Sequence, residues 1–391
     1  MKCLLPGCLV ILPFLLQAQP PARLVAGRTT GSYPYLEYGL GTDRLGGAKM
    51  TYLDSNILVQ VTDSTTDKYV VRLSRNHSAY LPREFFRRDS TAAVHTYYLT
   101  DSWKVYGDDH YDYATVLLDE KLPYSSRQEI DPSRIVVDIY GATSNTNWIT
   151  QLSSAREIRH AYYRQTEDDV FEVILELKHA QHWGYRIWYE GNRLVIRVKR
   201  QPAHPDLAHL KVAVDAGHGG DNLGTRGIRT GILEKDYTLK IARELRQALL
   251  KEKATVYMTR NRDTTLSMEE RTTQLRQEDP DLLISVHLNS SDRDTVRGAS
   301  TYYRYIGFRP LTQFILKRLL ELRLGEFGNV GSFNFSLSGP TDYPNCLVEV
   351  AFLSNPEDER RIRTPAFQRA VAARIVAGIR DWLKSLQPAG R

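Results

Sequence analysis

Cysteine is scarce: the 391-residue chain has three, Cys3, Cys8 and Cys346. Two of them fall in the first ten residues, so a chain trimmed at its N-terminus keeps one thiol and cannot close an internal disulfide. Its stability then has to come from packed cores or a bound metal. Long apolar runs are scarce as well. Beyond the first 20 residues none reaches the roughly 18 residues of a membrane-crossing helix, so no stable membrane insertion is expected of the mature chain. An excess of one charge is also missing. Lys and Arg total 52 against 46 Asp and Glu, a net +6 with no basic block. That balance argues against a dedicated nucleic-acid binder and leaves room for an anionic partner without naming one.

The one apolar stretch opens the chain. "MKCLLPGCLVILPFLLQAQPPARL" has a lysine, an apolar run to Leu16, small Ala18 and then Pro20 and Pro21, the layout of a secretory signal peptide. Residues 1–19 are read as that signal, with cleavage near Ala18 and export to the periplasm or cell envelope. Leu5 to Cys8 faintly suggest a lipoprotein box, but there the apolar segment follows the cysteine instead of preceding it.

From about Arg23 to Arg200 the chain alternates β-branched and aromatic residues with polar ones, as in "ILVQV" (57–61), "YVVRL" (69–73), "RIVVDIY" (134–140) and "FEVILEL" (171–177). These are strand patterns. "YRIWYEGNRLVIRVK" (185–199) places two such runs around Glu190, Gly191 and Asn192, a hairpin. Residues 20–130 are taken as one β-rich domain, which carries no specific motif, and 131–200 as a second. "QPAHPDLAHL" (201–210), with two prolines and no period, reads as a linker. Beyond it short apolar runs (211–215, 254–258, 282–287, 346–352) alternate with amphipathic helix-length segments near 235–251 and 268–277. Residues 211–391 should therefore be an α/β domain, a mostly parallel sheet flanked by helices, complete without the strands before it.

The first of these strands runs into "VDAGHGGDNLGTRG" (214–227), glycine-rich enough to raise the question of a phosphate loop. It fails both patterns. Asn222 stands where a dinucleotide loop needs its third glycine, and Thr225 and Arg226 stand where a P-loop needs Lys and Ser or Thr. Glycines flanking His218 suit a backbone folded tightly to project an imidazole from the carboxyl end of a strand. Glu234 begins the first long helix and His287 ends "LLISVH". Two histidines and a carboxylate at element boundaries match the His₂Glu set of a catalytic zinc site with a fourth position for water. Helix-dipole complementarity and core burial are the plainer readings of the same residues. Glu349 lies inside the apolar run "CLVEVAFL", where an unpaired carboxylate is costly, so it should be paired, metal-bound or functional.

The segments "VDAGHGGDNLGTRG", "LEKDYTLKIARELRQALL", "VYMTRNRDTTLSMEER", "DLLISVHLNSS" and "CLVEVAFLSNPEDE", in this order and spacing, closely resemble the zinc-dependent N-acetylmuramoyl-L-alanine amidases of the amidase type 3 family, which cleave bacterial cell walls. The resemblance covers residues 211 to about 385 and departs at Ala216, where the family commonly has proline. It implies that His218, Glu234 and His287 bind one zinc ion and that Glu349 is the catalytic glutamate. The substrate it implies is peptidoglycan, cut at the amide between the lactyl group of muramic acid and the L-alanine of the stem peptide. Zinc chemistry then activates a water whose proton Glu349 accepts and passes to the leaving amine. Residues 131–200 resemble the small AMIN-like β domains that target such enzymes to the wall; a spacer or lid is the alternative.

Arg260, Arg262 and Arg271 match the family's "TR..D....R" arrangement. They suit stem-peptide carboxylates, the loop carrying His287, or plain solvated charge. Some relatives carry a blocking helix between the second histidine and the glutamate. Here the segment 289–345 is already occupied by a strand, a helix and a loop, so an open site is expected, and no protein activator is named by the sequence. A zinc peptidase acting on the stem peptide would use the same residues, and a wall-binding protein with a decayed catalytic domain is the non-enzyme alternative.

Overall fold

A computed structural model of the chain describes residues 24–41 and 46–387; the signal-peptide reading, with Cys3 and Cys8, lies outside the described residues. The architecture is the expected one, a β-rich N-terminal half followed by an α/β half. Between 25 and 88, short alternating strands form a seven-stranded antiparallel sheet. Its order is Lys49–Tyr52, Tyr35–Glu37, Ser78–Pro82, Lys68–Arg72, Leu58–Ser64, Val25–Thr29 and Phe86–Arg88, which leaves Lys49–Tyr52 at one edge.

Strands between 98 and 199 build two further sheets. One orders Tyr124–Ile130, Ser133–Tyr140, Val170–Leu177 and Ile158–Glu167, all antiparallel. The other has Tyr98–Gly107, Tyr111–Leu118, Arg193–Lys199 and Tyr185–Glu190 as its main run. The hairpin at 185–199 closes on Gly191 and Asn192, with Glu190 opposite Arg193. Residue 130 falls at a tight turn, Ile130 facing Ser133, so paired strands run across it. One buried cluster also joins Leu36, Leu58 and Val71 of the first sheet to Trp103, Ile139 and Leu194.

In the α/β half the strand order is Thr255–Met258, Lys211–Ala216, Leu282–Asn289, Asn345–Phe352, Ala299–Tyr302 and Glu326–Val330. All neighbours are parallel except the antiparallel junction between Ala299–Tyr302 and Asn345–Phe352. The helices are α1 (Glu234–Lys251), α2 (Met268–Glu278), α3 (Arg309–Leu320), α4 (Pro356–Ile362) and α5 (Pro365–Ser385). Period-2 alternation sorts the strand residues between two faces. Val212, Val214, Leu282 and Ile284 join the large core made with α1, α3 and α5, whereas Ala213 and Leu283 join a small one with Leu275 of α2, Leu337 and Tyr343. Within 289–345 the described chain holds one α-helix, α3, and it packs on α5. The strand Glu326–Val330 was not anticipated. It is a half-exposed edge strand, "EFGNV", with neither alternation nor an apolar run.

The segment 201–210 is not a bare tether: Leu207 and Leu210 are buried in the large core. Nor is the α/β core closed by its own residues. Trp183, from the β-rich half, belongs to the same cluster and lies 5.1 Å from the Trp382 ring of α5. The Trp382 indole N–H donates to Gln181 Oε1 at 3.0 Å, and Tyr185 and Thr341 exchange two hydrogen bonds across the junction. The reading of an α/β half complete without the preceding strands therefore needs correction, because its core borrows an aromatic side chain.

Trp183→Ala should cost about 3–5 kcal/mol, as for other fully buried tryptophans truncated to alanine, measured by urea denaturation followed by circular dichroism. A loss below about 1 kcal/mol would mean that the two halves are only loosely joined.

Candidate functional site

The described residues bring three ligand-type side chains to one place. Ligand atoms of His218, Glu234 and His287 all lie within 4.8 Å of one another. Strand Lys211–Ala216 delivers His218 just beyond its carboxyl end, Leu282–Asn289 carries His287, and Glu234 is the first residue of α1. Carboxyl ends of parallel strands are where open α/β sheets place their sites. His218 has φ +61°, the left-handed region a non-glycine residue rarely adopts. Its neighbours make the space: a Cβ on Gly217 would lie 2.3 Å from the His287 ring. One on Gly224 would lie 2.5 Å from Glu234 Oε2 and 2.8 Å from His218 Cδ2.

Hydrogen bonds orient the set. Glu234 Oε2 accepts from the Thr225 amide at 2.9 Å, and Oε1 accepts from Leu288 at 3.0 Å. The same Oε1 lies 3.1 Å from His218 Nε2 and 3.2 Å from His287 Nδ1. His218 Nδ1 is 2.8 Å from Asn222 Oδ1, which also accepts from the Gly224 amide at 3.3 Å. An amide oxygen only accepts, so Nδ1 carries a hydrogen and the Nε2 edge of the ring turns toward Glu234. Burial opposes ionisation of Glu234, yet its hydrogen bonds with His218 and His287 hold the carboxyl well below its usual range. Burial likewise opposes charge on His218, but Glu234 raises its pKa above the ordinary value. Two nitrogens and one carboxylate oxygen gathered in this space fit a tetrahedral zinc ion with one position left over.

Glu349 is outside that group but adjacent to it. It pairs in register with His287 on the neighbouring parallel strand, and Leu347, two residues before it and on the same face, lines the cavity into which His218 and His287 open.

Sequence reading missed what holds the His218 loop in place. Asp215 and Arg271, each 1% exposed, form an ion pair beneath it. Asp215 also accepts from Thr259 at 2.6 Å and from Ser285 at 2.7 Å. Arg271 donates to the carbonyls of Ala216 and His218, at 3.0 and 2.5 Å. Arg260, also buried, donates to those of Ala216 and Gly217, both at 2.9 Å. Both arginines thus hold the His218 loop and not the loop carrying His287, and their charge is turned inward; Arg262 is exposed. The available signal was Asp215 itself, an acid inside the apolar run "VAVDA".

Residues 212–381 match the family model described as N-acetylmuramoyl-L-alanine amidase. Among curated relatives, the probable cell wall amidase LytH of Staphylococcus saprophyticus is 31% identical over 198 residues, half of this chain and 66% of that protein. LytH of Staphylococcus aureus is 33% identical over 177 residues, 44% of this chain and 58% of that protein. This chain therefore spans about three-fifths to two-thirds of the length of those relatives. Among solved structures, the N-acetylmuramoyl-L-alanine amidase from Clostridium difficile 630 matches at 31% identity and TM-score 0.44, covering 45% of this chain and 97% of that one. The catalytic domain of CwlV from Bacillus (Paenibacillus) polymyxa var. colistinus matches at 29% and 0.43, covering 46% and 99%.

Asp215→Ala should destabilise the fold by about 3–5 kcal/mol, because it leaves the Arg271 guanidinium buried without its counter-charge. Burial works against the Asp215 carboxylate, but Arg271, Thr259 and Ser285 keep its pKa below the ordinary value. Its contribution is therefore complete above the unfolded Asp pKa of about 3.9 and fades as pH falls through the lower folded value. Denaturant titrations of both proteins at pH 7 check the loss; equal midpoints would refute the role given to the pair.

Proposed function

We propose that this protein is an exported peptidoglycan hydrolase, an N-acetylmuramoyl-L-alanine amidase that works with one zinc ion. The observation that carries this reading is the convergence of His218, Glu234 and His287 at the carboxyl ends of parallel strands, with Glu349 in register beside His287. The family match over residues 212–381 and the cell-wall role in the names of the LytH relatives support the same reading.

On this reading His218, Glu234 and His287 hold the zinc, which supplies Lewis acidity toward the scissile carbonyl and toward water. His218 presents Nε2 because Asn222 occupies its Nδ1, and Glu234 is fixed by two backbone amides, so the ligands are ordered before any ion arrives. Glu349 takes the proton of the attacking water and delivers it to the amide nitrogen, which cannot leave as an anion. The bond broken joins the lactyl carbonyl of muramic acid to the L-alanine nitrogen. The products are a free muramoyl carboxylate and a stem peptide with a new N-terminus.

The signal-like leader 1–19 and the envelope role named for the relatives support export. No helix among the described residues is long and apolar enough to cross a membrane. The β-rich half, including the AMIN-like stretch 131–200, is read as a source of wall affinity, and Trp148, 63% exposed there, offers a face for sugar stacking.

Digestion of purified peptidoglycan with the full chain should release intact stem peptides bearing N-terminal L-alanine, and a chelator should stop it. Shortened peptides with the muramoyl link intact would point to a peptidase instead. His287→Ala should lose most of its zinc. Glu349→Gln should keep zinc while turnover drops on the order of 10² to 10⁴-fold. Near-normal turnover in Glu349→Gln would reassign the proton transfer.

A further inference from the structure

The cavity in front of His218 and His287 measures about 260 Å³, and the α/β half does not build it alone. Its lining includes Asn222, Met268, the loop Asn334–Leu337 and, from the edge strand of the first β-sheet, Lys49. Lys49 is some 170 residues earlier in the chain than the first histidine, yet its backbone is fastened to this loop. The Lys49 amide donates to Asn334 Oδ1 at 3.2 Å, and Asn334 Nδ2 donates to the Gly47 carbonyl at 2.9 Å. The Arg304 guanidinium donates to the Lys49 carbonyl. Three bonds on one short segment fix where this side chain begins.

The charges around the cavity single out the same residue. Arg271 lines the wall, but Asp215 neutralises it. Lys49 makes no salt bridge among the described residues. The nearest acid acting on it, Glu37, is engaged by the Lys68 ammonium. The Lys49 Nζ rests 4.8 Å above the Tyr35 ring, a contact that satisfies no N–H donor. Burial pulls its pKa down, Glu37 pulls it up, and the net direction is down, as for an ammonium whose surroundings undercompensate its charge. A half-buried amine with three donors and no salt-bridge partner among the described residues, on a residue that lines the cleft beside the proposed metal ligands, is suited to an anionic group of whatever occupies that cleft.

We propose that Lys49 is a specificity-determining residue that recognises a free carboxylate of the stem peptide, so that the β-rich half forms part of the substrate site. This rests on the amidase reading above. The stem peptide is the part of that substrate that carries carboxylates, and it leaves the scissile bond on the nitrogen side, whereas the glycan is uncharged where it would meet the amine.

The test uses the full chain and two soluble muramoyl-peptide substrates that differ only in whether the stem-peptide carboxylates are free or converted to carboxamides. The wild-type kcat/KM should favour the free acid by on the order of 10- to 100-fold, the range of a hydrogen bond to a charged group. Lys49→Gln should reduce that preference to within about 2-fold, mostly through a higher KM on the acid, with zinc content and thermal midpoint near those of the wild type. Lys49→Arg should keep most of the preference. Equal wild-type rates on both substrates, or a preference that survives in Lys49→Gln, would overturn the assignment. So would a parallel loss on both substrates, which would make Lys49 a structural prop. A wild-type chain that cleaves neither substrate removes the amidase reading itself and Lys49's role with it, a pattern distinct from the other three.

Discussion

The ion pair between Asp215 and Arg271 is the constraint on which the site depends. His218 must leave a strand and turn within two residues into a left-handed conformation, and such a turn exposes carbonyls that the sheet no longer satisfies. Arg271 and Arg260 take up the carbonyls of residues 216–218. Arg271 can be buried there only because Asp215 lies one residue before the turn and shares its charge. Asp215 is in turn held by hydroxyls on both neighbouring strands, Thr259 just past one and Ser285 within the other. Loop, pair and sheet are therefore one unit, and the imidazole that emerges inherits its rigidity. Groups that hold a side chain from beneath set the direction in which it points.

A second constraint is the contact between the halves. The α/β sheet has a large core on one face and a small one on the other, and residues of the β-rich half complete the coverage. Trp183 and Trp382 lie with their rings tilted 39° in the large core, and Arg276 of α2 lies 4.2 Å from the Tyr33 ring, just before the strand Tyr35–Glu37 of the first sheet. The Lys199 ammonium donates to the Pro280 carbonyl at 2.7 Å and meets Asp279 and Asp281 at 3.4 and 3.5 Å. These contacts are spread over both faces of the α/β half, and several are buried, unlike the thin polar contacts of domains that swing on a linker.

What the sequence made legible follows from how local each signal is. Short apolar runs and 3.6-residue periods marked the strands at 211–215, 254–258, 282–287 and 346–352 and the helices near 235–251 and 268–277, and His218, Glu234 and His287 stood out as ligand-type residues at element ends, whereas α4 and α5 were not read from the sequence. The edge strand Glu326–Val330 did not, because a half-exposed edge needs no apolar face. Asp215 and Glu349 are the same kind of anomaly, an acid in an apolar run. Only Glu349 drew attention, since the partner that explains Asp215 is 56 residues away on α2. Trp183 and Lys49 carried no signal at all: an indole in a β-rich stretch and a lysine on a short polar strand gain meaning only from what packs against them.

That difference bears on where function resides in such a chain. A catalytic set must satisfy one chemistry, so its residue types are narrow and a short motif suffices to find them. The wall of the cleft must satisfy only shape and charge, and many surfaces could supply it, including one that arrives from the far end of the chain. Here the bond between Arg304 and the Lys49 carbonyl joins residues 255 apart in sequence. With the two Asn334 bonds it holds an edge strand of the first sheet against the loop that lines the cavity in front of the histidines. An edge strand presents unpaired backbone groups that have to be covered, and Asn334 takes up the Lys49 amide and the Gly47 carbonyl of this one. The result is that the β-rich half contributes part of the wall of the cavity into which His218 and His287 open.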